Sequence, residues 1–157
     1  SATLWQAKES KIMNGAYSYK ERNNVVNIAE VLFEAYCATK GYFYRRLGFD
    51  EKNDPIPNFY DLNTFIRNMP DFYINNNGKA ALIMVKGTAN IKASEIKMFP
   101  MFMEWYSSEK CPLLYAFCFK DQKPLLLHPD KIISLYEKST DQQWHDGVTY
   151  RNLNLNG

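Results

Sequence analysis

Asn77-Gly78 sits between two apolar runs, residues 72–74 and 80–85, and this arrangement most limits the folds open to the chain. Both turn residues tolerate positive φ, so the pair predicts a tight β-hairpin turn. Residues 80–85 are apolar without interruption, which predicts a strand covered on both faces. Pro70-Asp71 opens the first strand and Met84-Val85-Lys86 closes the second. Hairpin pairing therefore brings Asp71 and Lys86 to the same end of a sheet.

The rest of the chain supplies the layers that such a sheet needs. Asn23-Asn24 offers a helix N-cap, and Val25, Ile28, Ala29, Leu32 and Tyr36 fall at helical spacing. They predict an amphipathic helix over 25–40 that stops at Gly41. Glu30 lies at the border of this stripe, beside the column Val26, Phe33 and Cys37; Glu34 lies one turn on and nearer solvent. Residues 42–46 read as a strand and 54–57 as a loop. Asp61 reads as the cap of a short helix ending at Asn68. Ser94 reads as the cap of a helix to Tyr106 that Pro100 should kink or split. Residues 113–119 predict a second apolar strand, 124–127 a short strand, 130–138 a helix, and 148–150 a final edge strand. The order helix, strand, strand, strand, helix, strand predicts an α/β fold, a mixed sheet flanked by helices.

At 157 residues the simplest organisation is a single domain. It divides into an N-terminal arm (1–23) that Leu4 and Trp5 could anchor, a core (24–120), and C-terminal accessory elements (121–157) with a frayed tail from 152. With 46% apolar and 23% charged residues the chain is not disordered by composition. A formal charge of +2 excludes a global basic field, so any nucleic-acid contact must be a local patch. Lys40, Arg45, Arg46, Lys92 and Lys97 could form one, or could be an ordinary solvated surface. Tyr42, Phe43 and Tyr44 could stack on bases, although core packing is the commoner use of such residues. Cys37, Cys111 and Cys118 have no zinc-like spacing and read as reduced thiols of a cytoplasmic protein. No stretch approaches the roughly 20 apolar residues of a membrane span.

A carboxylate beside a lysine suits metal-assisted phosphodiester cleavage. The carboxylate holds a divalent cation and the ammonium positions or polarises the attacking water. Taken singly, a helix glutamate is usually solvated and a strand-opening aspartate usually caps a turn. Convergence of Glu30, Asp71 and Lys86 is what would make a site. The matching text is Asn27-Ile28-Ala29-Glu30, Gly41-Tyr42, Pro70-Asp71-Phe72-Tyr73-Ile74 and Ile83-Met84-Val85-Lys86-Gly87-Thr88. On these residues the chain resembles the PD-(D/E)xK nucleases of the restriction-endonuclease-like superfamily, closest to Holliday-junction resolvases and related phage nucleases. The resemblance covers roughly residues 24–120, and 47–69 looks like an insertion relative to compact members.

The resemblance implies a restriction-endonuclease-like α-β-β-β-α-β core and a nucleic-acid substrate, DNA above all. It also implies an Mg²⁺ or Mn²⁺ cofactor, and many such nucleases act as homodimers. Asp71 would be the main metal ligand, with Glu30 binding directly or through water. The Val85 carbonyl would complete the shell, and Lys86 would activate the water. The departure is Met84, which stands where the family has Glu or Asp. A thioether is a poor ligand for a hard cation. Three explanations remain open. The site is degenerate and the protein is an inactive nucleic-acid-binding or interaction module; or another carboxylate, Glu95 or Glu34, has moved in; or the methionine is an inactivating substitution. Met98, Met101, Phe102 and Met103 offer one candidate dimer surface, or equally a wide core-facing stripe.

Overall fold

In the computed structural model residues 19–48 and 61–156 are described. The anchors Leu4 and Trp5 and the loop at 54–57 lie outside the described residues. Helix α1 (Tyr19–Lys40) begins inside the segment expected to be an arm and ends at Gly41, whose φ of +73° is the left-handed stop that glycine adopts without strain. Strand β1 (Phe43–Arg46) follows, then the short helix α2 (Thr64–Arg67). Asn63, not Asp61, caps α2: its side chain accepts from the Phe65 N–H at 2.9 Å. Strands β2 (Phe72–Asn76) and β3 (Lys79–Lys86) form the expected hairpin, with positive φ at both Asn77 and Gly78. Then come β4 (Asn90–Lys92), α3 (Ala93–Tyr106), β5 (Leu113–Phe117), β6 (Leu125–Leu127), α4 (Pro129–Glu137), β7 (Gln142–Gln143) and β8 (Thr149–Asn152).

Five strands make a mixed sheet in the order β1-β2-β3-β5-β6. The first three are an antiparallel meander, β5 is parallel to β3, and β6 returns antiparallel to β5. A parallel neighbour requires a long crossover, and α3 lies in it. The chain is therefore α/β, with helices on both faces of the sheet. On one face Ala29, Phe33 and Cys37 of α1 pack on Phe72, Ile83, Val85 and Ala116. The centre of the buried stripe is thus the column Phe33–Cys37, with Leu32 and Tyr36 only partly buried at its margin. That rotation keeps Glu30 and Glu34 at the border. On the other face Phe99, Phe102 and Tyr106 of α3 and Ile132 and Leu135 of α4 cover Leu113, Tyr115 and Phe117. Each fully buried aromatic contributes about 1.5–3 kcal/mol, so α1 and α3 are firmly seated.

Several expectations are corrected. Ser94 lies inside α3, whose N-cap residue Lys92 makes no side-chain cap. Pro100 does not split the helix; it lies on the exposed side, where a carbonyl without its helical partner can meet water. Strand β8 is not an edge of the main sheet: it is the centre of a second, antiparallel sheet ordered β4-β8-β7. The tail is docked rather than frayed at its start. Leu153 is buried and its N–H donates to the Ala89 carbonyl at 2.9 Å. Met98 and Met101 pack against the core, so the core-facing reading of that cluster holds for them. Burial pushes the Cys37 thiol up to about 11 and the Cys118 thiol up to about 12, so both stay protonated at neutral pH. Among the described residues no helix is long and apolar enough to cross a membrane.

Candidate active site

Asp71 lies where β1, β2 and β3 meet. Its backbone N–H donates to the Ile83 carbonyl at 2.8 Å, and its carbonyl accepts from the Leu47 N–H at 2.8 Å. Both bonds extend the ladder by one residue beyond β2, because Pro70 has no N–H to continue it. The side chain accepts from the Val85 N–H at 2.7 Å through Oδ2. The visible role of Val85 is therefore to donate to the aspartate. Among the described residues Asp71 has no salt bridge.

Two charged rims flank this carboxyl. On the α1 side, Glu30 and Glu34 stand one helical turn apart and share Arg46 of β1. The guanidinium reaches Glu30 at 2.6 Å and Glu34 at 2.7 Å and lies over the Phe72 ring. Glu30 is the deeper of the two, with its side chain 13% exposed against 33% for Glu34. On the α3 side, Lys86 Nζ donates to both carboxylate oxygens of Glu95 at 3.0 Å. Glu95 sits in the first turn of α3, where the helix dipole favours an acid. Burial, then the Glu95 charge, then the Asp71 charge push the Tyr115 hydroxyl well above the usual tyrosine range.

Asp71 is raised from 3.8 to about 7. Desolvation is the largest cause, and the Glu30 charge adds to it; the Val85 N–H, Lys86 and Arg46 oppose it. Glu30, Lys86 and Arg46 thus all act electrostatically on Asp71. Met84 makes the contrast. It pairs with Tyr115 in the parallel register and packs as a partly buried side chain against the α3-side core. It lines the same face as Lys86, since alternate strand residues share a face.

The structure thus brings Glu30 and Lys86 near enough for their charges to act on Asp71, with neither hydrogen-bonded to it. It places Glu34 on Arg46, away from Lys86, and Glu95 on Lys86. Among the described residues no three His, Cys, Asp or Glu side chains stand close enough to hold one ion. Arg46 and Lys92, two of the cations read as a phosphate track, are engaged by the glutamate pair and by the Trp144 ring at 5.6 Å respectively. Tyr42 and Tyr44 pack into the core, whereas Phe43 is 57% exposed at the sheet edge. Residue Arg46 was not singled out as a partner of the glutamates; its position opposite Phe72 in the β1–β2 register was the missing information.

No protein-family model and no curated protein matches the chain.

Proposed function

We propose that this end of the sheet is the active site of a metal-dependent nucleic-acid endonuclease in which Glu95 replaces the carboxylate missing at Met84. The observation that carries the reading is the Lys86–Glu95 pair at 3.0 Å, at the same sheet end as Asp71. A lysine that serves the attacking water needs a carboxylate beside it, and α3 supplies one. With the short α2 and β4 set aside, the order α1-β1-β2-β3-α3-β5 matches the α-β-β-β-α-β order expected of restriction-endonuclease-like folds and supports the same reading. Asp71 and Glu95 would hold Mg²⁺ or Mn²⁺, with Glu30 acting through water. Two carboxylates suffice for Mg²⁺, which keeps several waters and takes further oxygens from substrate phosphate. The bound ion would supply Lewis-acid activation of the phosphodiester. Lys86 positions the attacking water and Glu95 fixes the ammonium. The Val85 N–H orients the Asp71 carboxylate. DNA is the favoured substrate, a homodimer would serve cleavage of two strands, and the reduced thiols suit the cytoplasm.

A second reading, a catalytically inactive nucleic-acid-binding module, is favoured by the packing of Met84 into the core. A cleavage assay separates the two. Supercoiled, branched and single-stranded DNA, and RNA, are incubated with the protein in Mg²⁺ and in Mn²⁺. Cleavage of at least one substrate, abolished by chelation, by Asp71→Ala and by Lys86→Ala, is the expected result. Binding without cleavage on every substrate would leave the second reading.

A further inference from the structure

The carboxyl end of β5, neighbour of β3, borders a cavity of about 570 Å³ that the site above does not use. Its floor is apolar and rests on the core: Ala89, Phe117 and Leu153 are 1%, 1% and 3% exposed. The floor is also held in place. Besides the Leu153–Ala89 bond, Asn152 Nδ2 donates to Asn90 Oδ1 at 2.8 Å, tying the C-terminal segment to β4. The partly exposed ring of Phe119 lines one wall. The rim carries the exposed side chains of Gln122, Asn154 and Lys123.

Through Phe117 the cavity is one strand away from Lys86 of the candidate site. Lys86 and Phe117 are register partners in the β3–β5 pair, so they lie on neighbouring strands and face the same side of the sheet. Strand neighbours are about 5 Å apart, within one nucleotide of each other. The chemistry of the lining is specific. An aromatic ring and an apolar floor suit a planar ring; carboxamides suit a ring whose edge both donates and accepts hydrogen bonds; the ammonium suits an adjacent anion. A nucleobase with its phosphate has all three properties.

We propose that this cavity takes the base of an unpaired or extruded nucleotide from a strand whose backbone runs past Lys86. Phe119 stacks on the base, Gln122 and Asn154 meet its edge, and Lys123 meets a flanking phosphate. A base still paired in a duplex has its edge and both faces engaged, so the cavity favours single-stranded, mismatched or branched positions. This inference rests on the nuclease reading and names the substrate feature that the site prefers.

The test is a binding titration in EDTA, where no cleavage occurs. The probe is a short single-stranded oligonucleotide carrying 2-aminopurine at one position. The wild-type protein should change the probe's fluorescence saturably. Phe119→Leu should weaken binding about tenfold, and a fully abasic strand of the same length should compete with the probe about tenfold more weakly than an intact strand. The paired variant Gln122→Ala/Asn154→Ala alters only exposed side chains and should weaken binding less. Thermal melting of each variant reports whether it folds; if Phe119→Leu does not, the abasic comparison on the wild type decides. No binding, or equal affinity for the abasic and intact strands, overturns the proposal. Base-dependent binding by a protein that cleaves nothing would remove the nuclease reading and keep the cavity. Cleavage without base-dependent binding would remove the cavity alone.

Discussion

The two rims of the candidate site hold their acids differently. On the α1 side one arginine, 44% exposed, ties two glutamates across 2.6 and 2.7 Å. On the α3 side one lysine meets one glutamate, and both are close to 20% exposed, at 21% and 22%. The first is a rim fastened by a cation fixed in charge, since Arg cannot give up its proton in a protein. The second pairs an acid with a flexible point charge. Among the described residues Asp71 has a backbone donor and no ion-pair partner, and burial pushes its carboxyl up to about 7. The contrast teaches that a carboxylate near the site is not equivalent to one available to it. Glu34 and Glu95 are both plausible stand-ins by sequence, and only Glu95 is held beside the lysine.

The sharpest way to break this comparison is to neutralise the two acids in turn. Glu95→Gln should lower cleavage by roughly 100-fold or more, and metal affinity by roughly 10–100-fold, because it removes a hard oxygen and frees the lysine. Glu34→Gln should leave both within about threefold, since Arg46 keeps Glu30 and exposed pairs of this kind are worth about 0–1 kcal/mol. Cleavage rates together with Mn²⁺ titration calorimetry measure both. Equal losses from the two variants would mean that the rims are interchangeable, and Glu95 would lose its assigned place.

A smaller effect should appear in stability against pH. The Asp71 value of about 7 in the fold stands above its ordinary 3.8, so the folded protein binds this proton more readily than the unfolded chain. The stability contributed by the group is full below 3.8 and is lost as pH rises through about 7. Asp71→Asn carries no charge at any pH and keeps an acceptor for the Val85 N–H. It should be more stable than the wild type by about 1–3 kcal/mol at pH 8 and converge on it below pH 4. Denaturant melts at several pH values measure this. A variant less stable than the wild type at pH 8 would show that the ionised carboxylate is satisfied in the fold.

How much of this was legible in the sequence follows from how local each signal is. The hairpin could be read because Asn77-Gly78 fixes the turn and the flanking runs fix the register. Helix α1 could be read from its apolar spacing, though the stripe was centred one column away from Phe33 and Cys37. The second sheet could not, because β4, β7 and β8 are two to four residues long and owe their existence to each other, not to their own propensity. Asp71 and Lys86 were legible as a pair because hairpin geometry dictates it. Glu95 was legible only as a candidate. Its meeting with Lys86 depends on the turn of the chain from β3 through β4 into α3, and no periodicity specifies that corner.

The finest distinction between the rims lies in how each acts on Asp71. Glu30 raises the proton affinity of Asp71, and Lys86 lowers it. Glu30→Gln removes a negative neighbour and leaves Arg46 in place, so Asp71 should titrate lower. Lys86→Met removes a positive neighbour and leaves the Glu95 charge uncompensated, so Asp71 should titrate higher. Each shift should be about one pH unit or less, because burial and not either neighbour is the leading cause. Carbon-13 NMR of the Asp71 carboxyl resolves shifts of this size. Opposite shifts support the placement of Asp71 between the rims. Shifts of the same sign would mean that one substitution had moved the carboxyl itself, and the two rims could then no longer be treated as separate neighbours of one fixed group.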